Sequence, residues 1–379
     1  MKLYILDDYK KEKKKKLNKK KLVKTIVIAI TIIVLIVLAA FYIGNEKFRG
    51  FIDRYVLRKE ITENTGNIIQ ISQEDNPYVY TYDKYITVLN KNLLEHYNSN
   101  ANLEFSVKVS ISTPLFASNG KYLVLAEKGG QKLYLISGQN IIWQKDIEGN
   151  IVNVNVNKNG YVSIIITGTI YKTIICTYDV EGNDLPMVYR SWTYAIDTDI
   201  SSDNKNLAFA EINSTGSIIQ SSIKIISLEV AKTNPSESEI YSYEGNPKEL
   251  INCIKYQDGE NLVGMFDNRL ILVKDNQVKT ILEFGTDTIF ADINLTNNFI
   301  KVEKKSTGIF SSESNIEIGN INNDNKNLYK IQGIPKSIIT RENIIAISLG
   351  TEIHFIRNQW MAYKKIYFYK RNKRYCPLW

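Results

Sequence analysis

The side chains most suited to catalysis or metal binding are few in this sequence of 379 residues, and they stand far apart. Its two histidines, His96 and His354, each lie alone in a strand-like segment. A Ser-His-Asp triad or a histidine metal site would have to be centred on one of them. A lone histidine in a strand is more often a surface residue or a hydrogen-bonded core residue, and we expect this of both.

The three cysteines, Cys176, Cys253 and Cys376, are widely spaced and odd in number. They fit neither the paired spacing of a zinc site nor a framework of disulfide bonds. We therefore expect no disulfide scaffold and no cysteine metal centre.

Acidic and amide side chains suggest two cation sites. Asp197, Asp199 and Asp203 could form a calcium site at the edge of a sheet, although a turn between two successive sheets explains them better. The run Asn322–Asn327 has oxygen ligands but lacks the glycine and the distal glutamate of an EF-hand loop. The sequence of Glu127–Gly130 indicates a hairpin turn and not a phosphate-binding loop.

We assign no catalytic, cofactor-binding or metal-binding residue. The sequence does not exclude a hydrolase site made of two carboxylates that are distant in the chain but close in the folded protein.

The elements around these residues are short strands. From about residue 68, runs rich in Ile, Val, Tyr and Thr alternate with turns rich in Asn, Asp and Gly. A polar turn followed by an apolar strand recurs about every 40–55 residues, as in a propeller blade of four strands. The turns are Asn119-Gly120, Asn159-Gly160, Asp203–Asn206, Asp258-Gly259, Asn297-Asn298 and Glu342-Asn343.

We accordingly predict an all-β fold, a β-propeller of about seven four-stranded blades over residues 68–360. A loop insertion is expected at Ala231–Pro247, where the period is irregular. The clearest repeat spans Ser118–Ile147. Trp143, near the end of its last strand, is placed like the aromatic residue that packs between blades in WD40-like and quinoprotein-like repeats.

The first part of the chain has a different character. Residues 1–24 carry eleven lysines and three acidic residues, which makes this segment as positive as the whole chain, at +8. Residues 25–44 contain no charge and are long enough to span a bilayer as one helix. We predict a retained anchor in preference to a cleaved signal peptide, whose apolar core is shorter. Residues 45–67 are expected to form an amphipathic stalk that lies on lipid head groups or packs on the domain.

This charge distribution predicts the topology. Lysine clusters are retained on the cytoplasmic side, so the tail is expected inside the cell and the β domain outside it, on a single-pass cell-membrane protein. Beyond residue 24 the basic and acidic residues balance. A nucleic-acid-binding domain would carry its own positive face, and we therefore expect no nucleic acid partner.

Several stretches resemble an uncharacterised family of membrane-anchored, propeller-like proteins of Gram-positive anaerobes, a domain of unknown function. They include YDKYITVLNKN (82–92), GKYLVLAEKGGQKLYLISG (120–138) and ISSDNKNLAFAEI (200–212). The resemblance implies an anchor followed by a propeller, and it implies no substrate. Quinone-dependent dehydrogenases share the repeat, but their adjacent cysteines and cofactor site have no counterpart here, so we expect no cofactor.

The C-terminal segment 361–379 departs from this resemblance, because it holds six basic residues and no acidic one. One interpretation is a frameshift that leaves the last blade incomplete. The other is a functional basic tail that binds an anionic polymer or lipid.

For function, the sequence favours a non-enzymatic scaffold or sensor with a protein partner at the cell envelope. The alternatives are an extracytoplasmic hydrolase or quinone-type oxidoreductase on the same propeller, and a receptor whose lysine-rich tail meets a cytoplasmic partner.

Overall fold

The computed structural model describes residues 76–258, 261–306, 312–350, 352–357 and 361–367, the last of these as backbone. Before residue 76 it describes Lys24, Val27, Ile28, Ile30, Thr31, Ile32, Val34, Val37 and Ile69. The chain divides into two compact units, Met1–Glu63 and Asn64–Trp379.

The second unit is a β-propeller of seven four-stranded antiparallel sheets, as the sequence predicted. Each sheet, or blade, uses four strands that are consecutive in the chain. Blades 1 to 3 comprise β1 Tyr78–Tyr82, β2 Tyr85–Asn90, β3 Leu93–Tyr97, β4 Leu103–Lys108; β5 Pro114–Asn119, β6 Tyr122–Glu127, β7 Lys132–Ser137, β8 Asn140–Asp146; and β9 Asn150–Val156, β10 Val162–Thr167, β11 Thr173–Tyr178, β12 Val188–Arg190.

Blades 4 to 7 follow the same plan. They comprise β13 Thr193–Ile200, β14 Asn206–Asn213, β15 Gln220–Ser227, β16 Glu239–Glu244; β17 Ile251–Tyr256, β18 Leu262–Phe266, β19 Arg269–Lys274, β20 Gln277–Glu283; β21 Thr288–Leu295, β22 Asn298–Ser306, β23 Ser312–Asn320, β24 Lys326–Gln332; and β25 Ser337–Arg341, β26 Ile344–Ser348, β27 Glu352–Arg357, β28 Met361–Tyr367.

The position of a strand in its blade follows from its composition. The second strands, such as β6 (YLVLAE) and β10 (VSIIIT), are apolar along their length and buried, because both of their faces pack on neighbouring blades. The fourth strand β8 alternates exposed and half-buried residues, which is typical of an edge with one solvated face. The first strands of successive blades contact one another, as β5, β9, β13 and β17 do, and they therefore line the central channel.

The recurring polar turns are the connections between the first and second strands of blades 2 to 7, so the predicted repeat is confirmed. Blade 1 has the equivalent turn at Asp83-Lys84. The insertion in blade 4 is shorter than predicted. It holds a six-residue helix, α1 (Leu228–Thr233), and the 3₁₀ turn Pro235–Glu237, and residues 239–244 then form β16.

The C-terminal boundary at residue 360 was wrong, and so was the incomplete last blade. Residues 361–367 form β28, which pairs with β27 and supplies the fourth strand of blade 7. The lysines in this segment did not prevent it, because an outermost strand needs apolar residues only on alternate positions. Residues 368–379, with the rest of the basic tail and Cys376, lie outside the described residues.

Most of the predicted tail, anchor and stalk also lies outside the described residues. The residues described between Lys24 and Val37 are helical. No helix in the described part of the chain has both the length and the apolar character needed to span a bilayer. The membrane anchor stays a prediction from the sequence.

Candidate functional site

The two faces of the propeller differ in composition. In a blade of four antiparallel strands, the first-to-second and third-to-fourth turns lie at one end, here called the turn face. The second-to-third turns and the connections between blades lie at the other end, the link face. Asparagine, aspartate and glycine dominate the turn face, for example at Asn157–Gly160 and at the Asp275-Asn276 turn, where both residues have positive φ.

Exposed apolar residues recur near the starts of the innermost strands, towards the link-face mouth of the channel. They belong to five of the seven blades, where they lie between the residue before the strand and its third residue, and we call them the collar: Tyr78, Val152, Leu250, Ile289 and Ile339. Two members sit at β-bulges. The register of β9 skips Val152 and that of β21 skips Ile289. A bulged residue leaves the alternation of its strand, so these side chains are not drawn into the blade interior.

A second apolar group lies farther out on the link face, in blades 3 and 4. We call it the rim: Ile170, Tyr171, Tyr189, Trp192, Tyr194, Ile218 and Ile219. The ring centroids of Tyr171 and Tyr189 are 4.9 Å apart. Lys172 Nζ lies 4.7 Å from the ring centroid of Tyr194 and donates to the carbonyl oxygen of Trp192 at 3.2 Å.

The backbone beside Trp192 is fixed by a buried carboxylate. Glu211 is 2% exposed and accepts hydrogen bonds from both Nε and Nη2 of Arg190 at 2.7 Å. It also accepts the hydroxyl hydrogen bonds of Thr193 and Ser222. The residues on both sides of Trp192 are thereby tied to blade 4, whereas the indole itself is 73% exposed.

Below the collar, the channel is lined by polar contacts between the innermost strands. Asparagines at alternate positions of β9 and of the residue after it donate to carbonyl oxygens along the unpaired edge of β13 and the residue that follows it, at 2.8–3.0 Å: Asn153 to Ile196, Asn155 to Thr198 and Asn157 to Ser201. Gln257 repeats the contact two interfaces later, between blades 5 and 6, where it donates a 2.8 Å bond to Ile293 O. These side chains satisfy backbone groups that no strand pairs with.

Asp197 and Asp199 also bond to the unpaired backbone of a neighbouring innermost strand, but as acceptors of N–H groups instead of donors to carbonyl oxygens. Their Oδ2 atoms accept from the backbone N–H groups of Ile254 and Tyr256 on β17, at 2.9 and 2.8 Å. Burial raises the pKa of both carboxyl groups, that of Asp199 to about 7. Asp203 lies apart from them in the turn after β13, where Ser201 and Lys205 donate to its carboxylate.

The turn between two sheets predicted for the three aspartates is thus wrong. Asp197 and Asp199 lie within β13, and Asp203 lies in the turn between the first and second strands of blade 4. No group of three or more His, Cys, Asp or Glu side chains suited to a metal ion occurs among the described residues. Glu127–Gly130 lies at the β6–β7 hairpin, where the Glu127 carboxylate accepts from the N–H groups of Ser112 and Thr113 at 2.6 and 2.7 Å. Asn322–Asn325 form the turn before β24.

Both histidines are buried in blade interiors, as expected of core residues. His96 Nδ1 is 2.9 Å from Thr87 Oγ1 in blade 1, and burial lowers its pKa to about 4. His354 in blade 7 lies 3.1 Å from the Tyr329 hydroxyl of blade 6 and 2.9 Å from Glu352 Oε1. The two histidines belong to different blade cores and form no joint site.

The described cysteines, Cys176 in β11 and Cys253 in β17, are both free. Burial raises the pKa of their thiols, to about 11 and about 12 respectively. A thiol that stays protonated at neutral pH is a poor nucleophile, so neither position suits cysteine chemistry.

Trp143 packs between blades 2 and 3, as its position in the repeat predicted. Its Nε1 donates to Val180 O at 3.2 Å, and its ring lies 5.7 Å from that of Tyr178. Gly182 closes over the indole, where a Cβ would stand 2.8 Å from Trp143 Cγ.

Sequence reasoning missed the collar and the rim. Their members are apolar residues inside strand-like runs, and composition cannot distinguish them from core residues. One signal was available: Ile170 and Ile218-Ile219 stand within polar loop segments, where an apolar residue has no core to join.

Comparisons with known proteins agree with the fold. A family model described as "Family of unknown function (DUF5711)" matches residues 58–370. This confirms the resemblance to an uncharacterised family and does not bear on a membrane anchor. No curated protein matches the chain.

Similar solved structures include a prolyl endopeptidase, at 11% identity and a TM-score of 0.52, over 77% of this chain and 49% of that one. Apo AztD from Citrobacter koseri is 11% identical over 77% of this chain and 86% of that one, with a TM-score of 0.47. The C-terminal WD40 domain of Sif2 is 11% identical over 73% and 80%, with a TM-score of 0.49. At this identity the likeness shows the propeller fold alone.

Proposed function

The chain belongs to the family of unknown function DUF5711, and we propose that it is a membrane-tethered interaction module of the cell envelope that binds a protein partner over its collar. The collar carries this proposal. Five blades each expose an apolar side chain near the start of the innermost strand, towards one mouth of the channel, and two of these side chains are kept out of the blade cores by bulges. Apolar residues gathered on one face commonly mark a protein-binding surface.

The tether rests on the sequence. The uncharged segment 25–44 follows a segment of eleven lysines, and this order orients an anchor with its N-terminus in the cytoplasm. The propeller then stands outside the membrane, as a scaffold or sensor. Protease treatment of intact cells tests this arrangement. We expect the propeller to be cut and the lysine-rich tail to be protected, and the reverse pattern would show that the orientation is wrong.

Partner binding is tested by crosslinking the full chain in native envelopes and purifying it. Ile289→Glu places a charge in the collar, whereas Leu328→Glu places one on the outermost strand of blade 6, at a residue that is 58% exposed. We expect one defined partner to be recovered with the wild type and with Leu328→Glu, and recovery to fall about tenfold with Ile289→Glu, a loss typical of a hot-spot residue. Equal recovery with both variants would refute the collar as the binding surface.

A further inference from the structure

The rim is a second apolar surface, and two of its side chains are almost fully or largely exposed. Ile170 is 94% exposed and Trp192 is 73% exposed, more than any other large apolar side chain in the described part of the chain. Ile170 stands at the tip of the β10–β11 turn, and Trp192 on the connection from blade 3 to blade 4.

The register of blade 4 brings a third segment to the same place. Thr193, next to Trp192, pairs with Asn213, and Asn213 pairs in turn with Gln220. The loop 214–219, with Ile218 and Ile219, therefore begins and ends beside Trp192. The β10–β11 turn, the connection at Trp192 and the loop 214–219 thus lie side by side on the link face, and each exposes apolar side chains.

The rim is also held in place before anything binds. Glu211 ties Arg190 and Thr193 to blade 4, and Lys172 holds the carbonyl of Trp192. Because the backbone is fixed on both sides of Trp192, this segment does not have to be ordered on binding, which lowers the entropic cost.

We propose that the rim inserts into the interfacial layer of the membrane to which the chain is tethered, so that blades 3 and 4 rest on the bilayer. Tryptophan and tyrosine with a flanking lysine are the residues that favour the lipid–water interface. Projecting tips suit a deformable lipid surface, whereas a folded partner would need a matching pocket for each. The chain also enters blade 1 on the link face, at Tyr78.

This inference rests on the proposed tether. A few apolar side chains bind a bilayer weakly on their own, and stable attachment takes two signals. A tethered domain meets the membrane at a high effective concentration, so weak insertion is then sufficient to orient it.

The test is quenching of tryptophan fluorescence in proteoliposomes of phosphatidylglycerol and phosphatidylethanolamine, with and without brominated acyl chains. The predicted anchor and stalk contain no tryptophan, and the other three are Trp143, Trp360 and Trp379. We expect brominated lipid to quench the wild-type chain at least about twofold more than Trp192→Phe. Ile170→Glu should reduce the quenching as well, whereas Leu328→Glu should not.

Alkaline extraction tests the tether independently of the quenching, because a chain with a membrane-spanning anchor remains in the membrane fraction. A chain that is retained but whose Trp192 is not quenched would overturn the rim proposal and leave the tether intact. A chain that is extracted but still quenched when added to preformed brominated vesicles would support the rim and contradict the tether. A discrete protein adduct at a photocrosslinker in place of Trp192, without quenching, would assign the rim to a protein and refute the lipid proposal.

Discussion

Arg341 Nη1 in blade 7 donates a 2.6 Å hydrogen bond to Thr81 Oγ1 in blade 1, across 260 residues of sequence. Each blade uses four strands that are consecutive in the chain, so among the described strands none from one end completes a sheet at the other. The bond between Arg341 and Thr81 therefore joins two blades that share no described sheet.

We expect Arg341→Met to lower the free energy of unfolding by about 1.5–3 kcal/mol, the range for a hydrogen bond that involves a charged group. Denaturant unfolding of Arg341→Met, Thr81→Val and the double variant measures the coupling between the two residues. A coupling energy near zero would show that this bond does not hold the seam.

Gly182→Ala should destabilise the chain by about 2–4 kcal/mol, because the added Cβ meets the Trp143 ring at a positive φ. Gly120→Ala is the control, since Gly120 also has a positive φ but has open space around its Cβ position. It should cost only about 1 kcal/mol. If the clash is the cause, thermal unfolding will show a smaller penalty for Gly182→Ala in a Trp143→Leu background.

The sequence was sufficient to predict the blades, because the signals for them are local. The turn at Asn159-Gly160 and the apolar run in β10 are both read within a few residues. Trp143 was placed correctly because its position in the repeat fixes its neighbours. The collar was not predictable, since Val152 and Ile289 escape burial only through bulges, and a bulge depends on how two strands pair.

The contacts between innermost strands were missed for a related reason. Asp197 and Asp199 were assigned to a turn, because three aspartates within seven residues are typical of one. In the structure, two of them cap N–H groups 57 residues away on β17. A bond over such a distance leaves no mark on the local sequence.

Asn157→Ala should cost about 2–4 kcal/mol, because this side chain is 4% exposed and four hydrogen bonds are lost with it. Its Oδ1 accepts from the N–H groups of Asn159 and Tyr161, and its Nδ2 donates to Ser201 and Asn204. Asn159→Ala should cost less, since water can reach that half-buried residue. Chemical denaturation distinguishes the two, and equal penalties would contradict the role given to burial.

Asp199 should make the propeller less stable as the pH rises. Its folded pKa of about 7 lies above 3.8, the usual value of an aspartate side chain, so the folded state retains the proton to a higher pH than the unfolded state does. The protonated Asp199 side chain contributes its full share of the stability below about pH 4. This share of the free energy of unfolding, at most about 4 kcal/mol, is lost between about pH 4 and pH 7.

Asp199→Asn removes this titration while keeping one acceptor oxygen for Tyr256 N–H. Compared with the wild type, the variant should gain stability from pH 4 to pH 7 and show a constant difference above pH 7. Unfolding curves over this range measure the difference between the two proteins. A difference that does not change with pH would exclude Asp199 as the titrating group.

The innermost position of each first strand has a mechanical consequence. A pull on the chain ahead of Tyr78 enters the propeller at β1, beside the channel and next to the seam that Arg341 and Thr81 close. Force applied there acts first on β1 and on this seam, and not on a strand at the outer edge. Blade 1 should therefore yield first under load, at a force that Arg341→Met lowers.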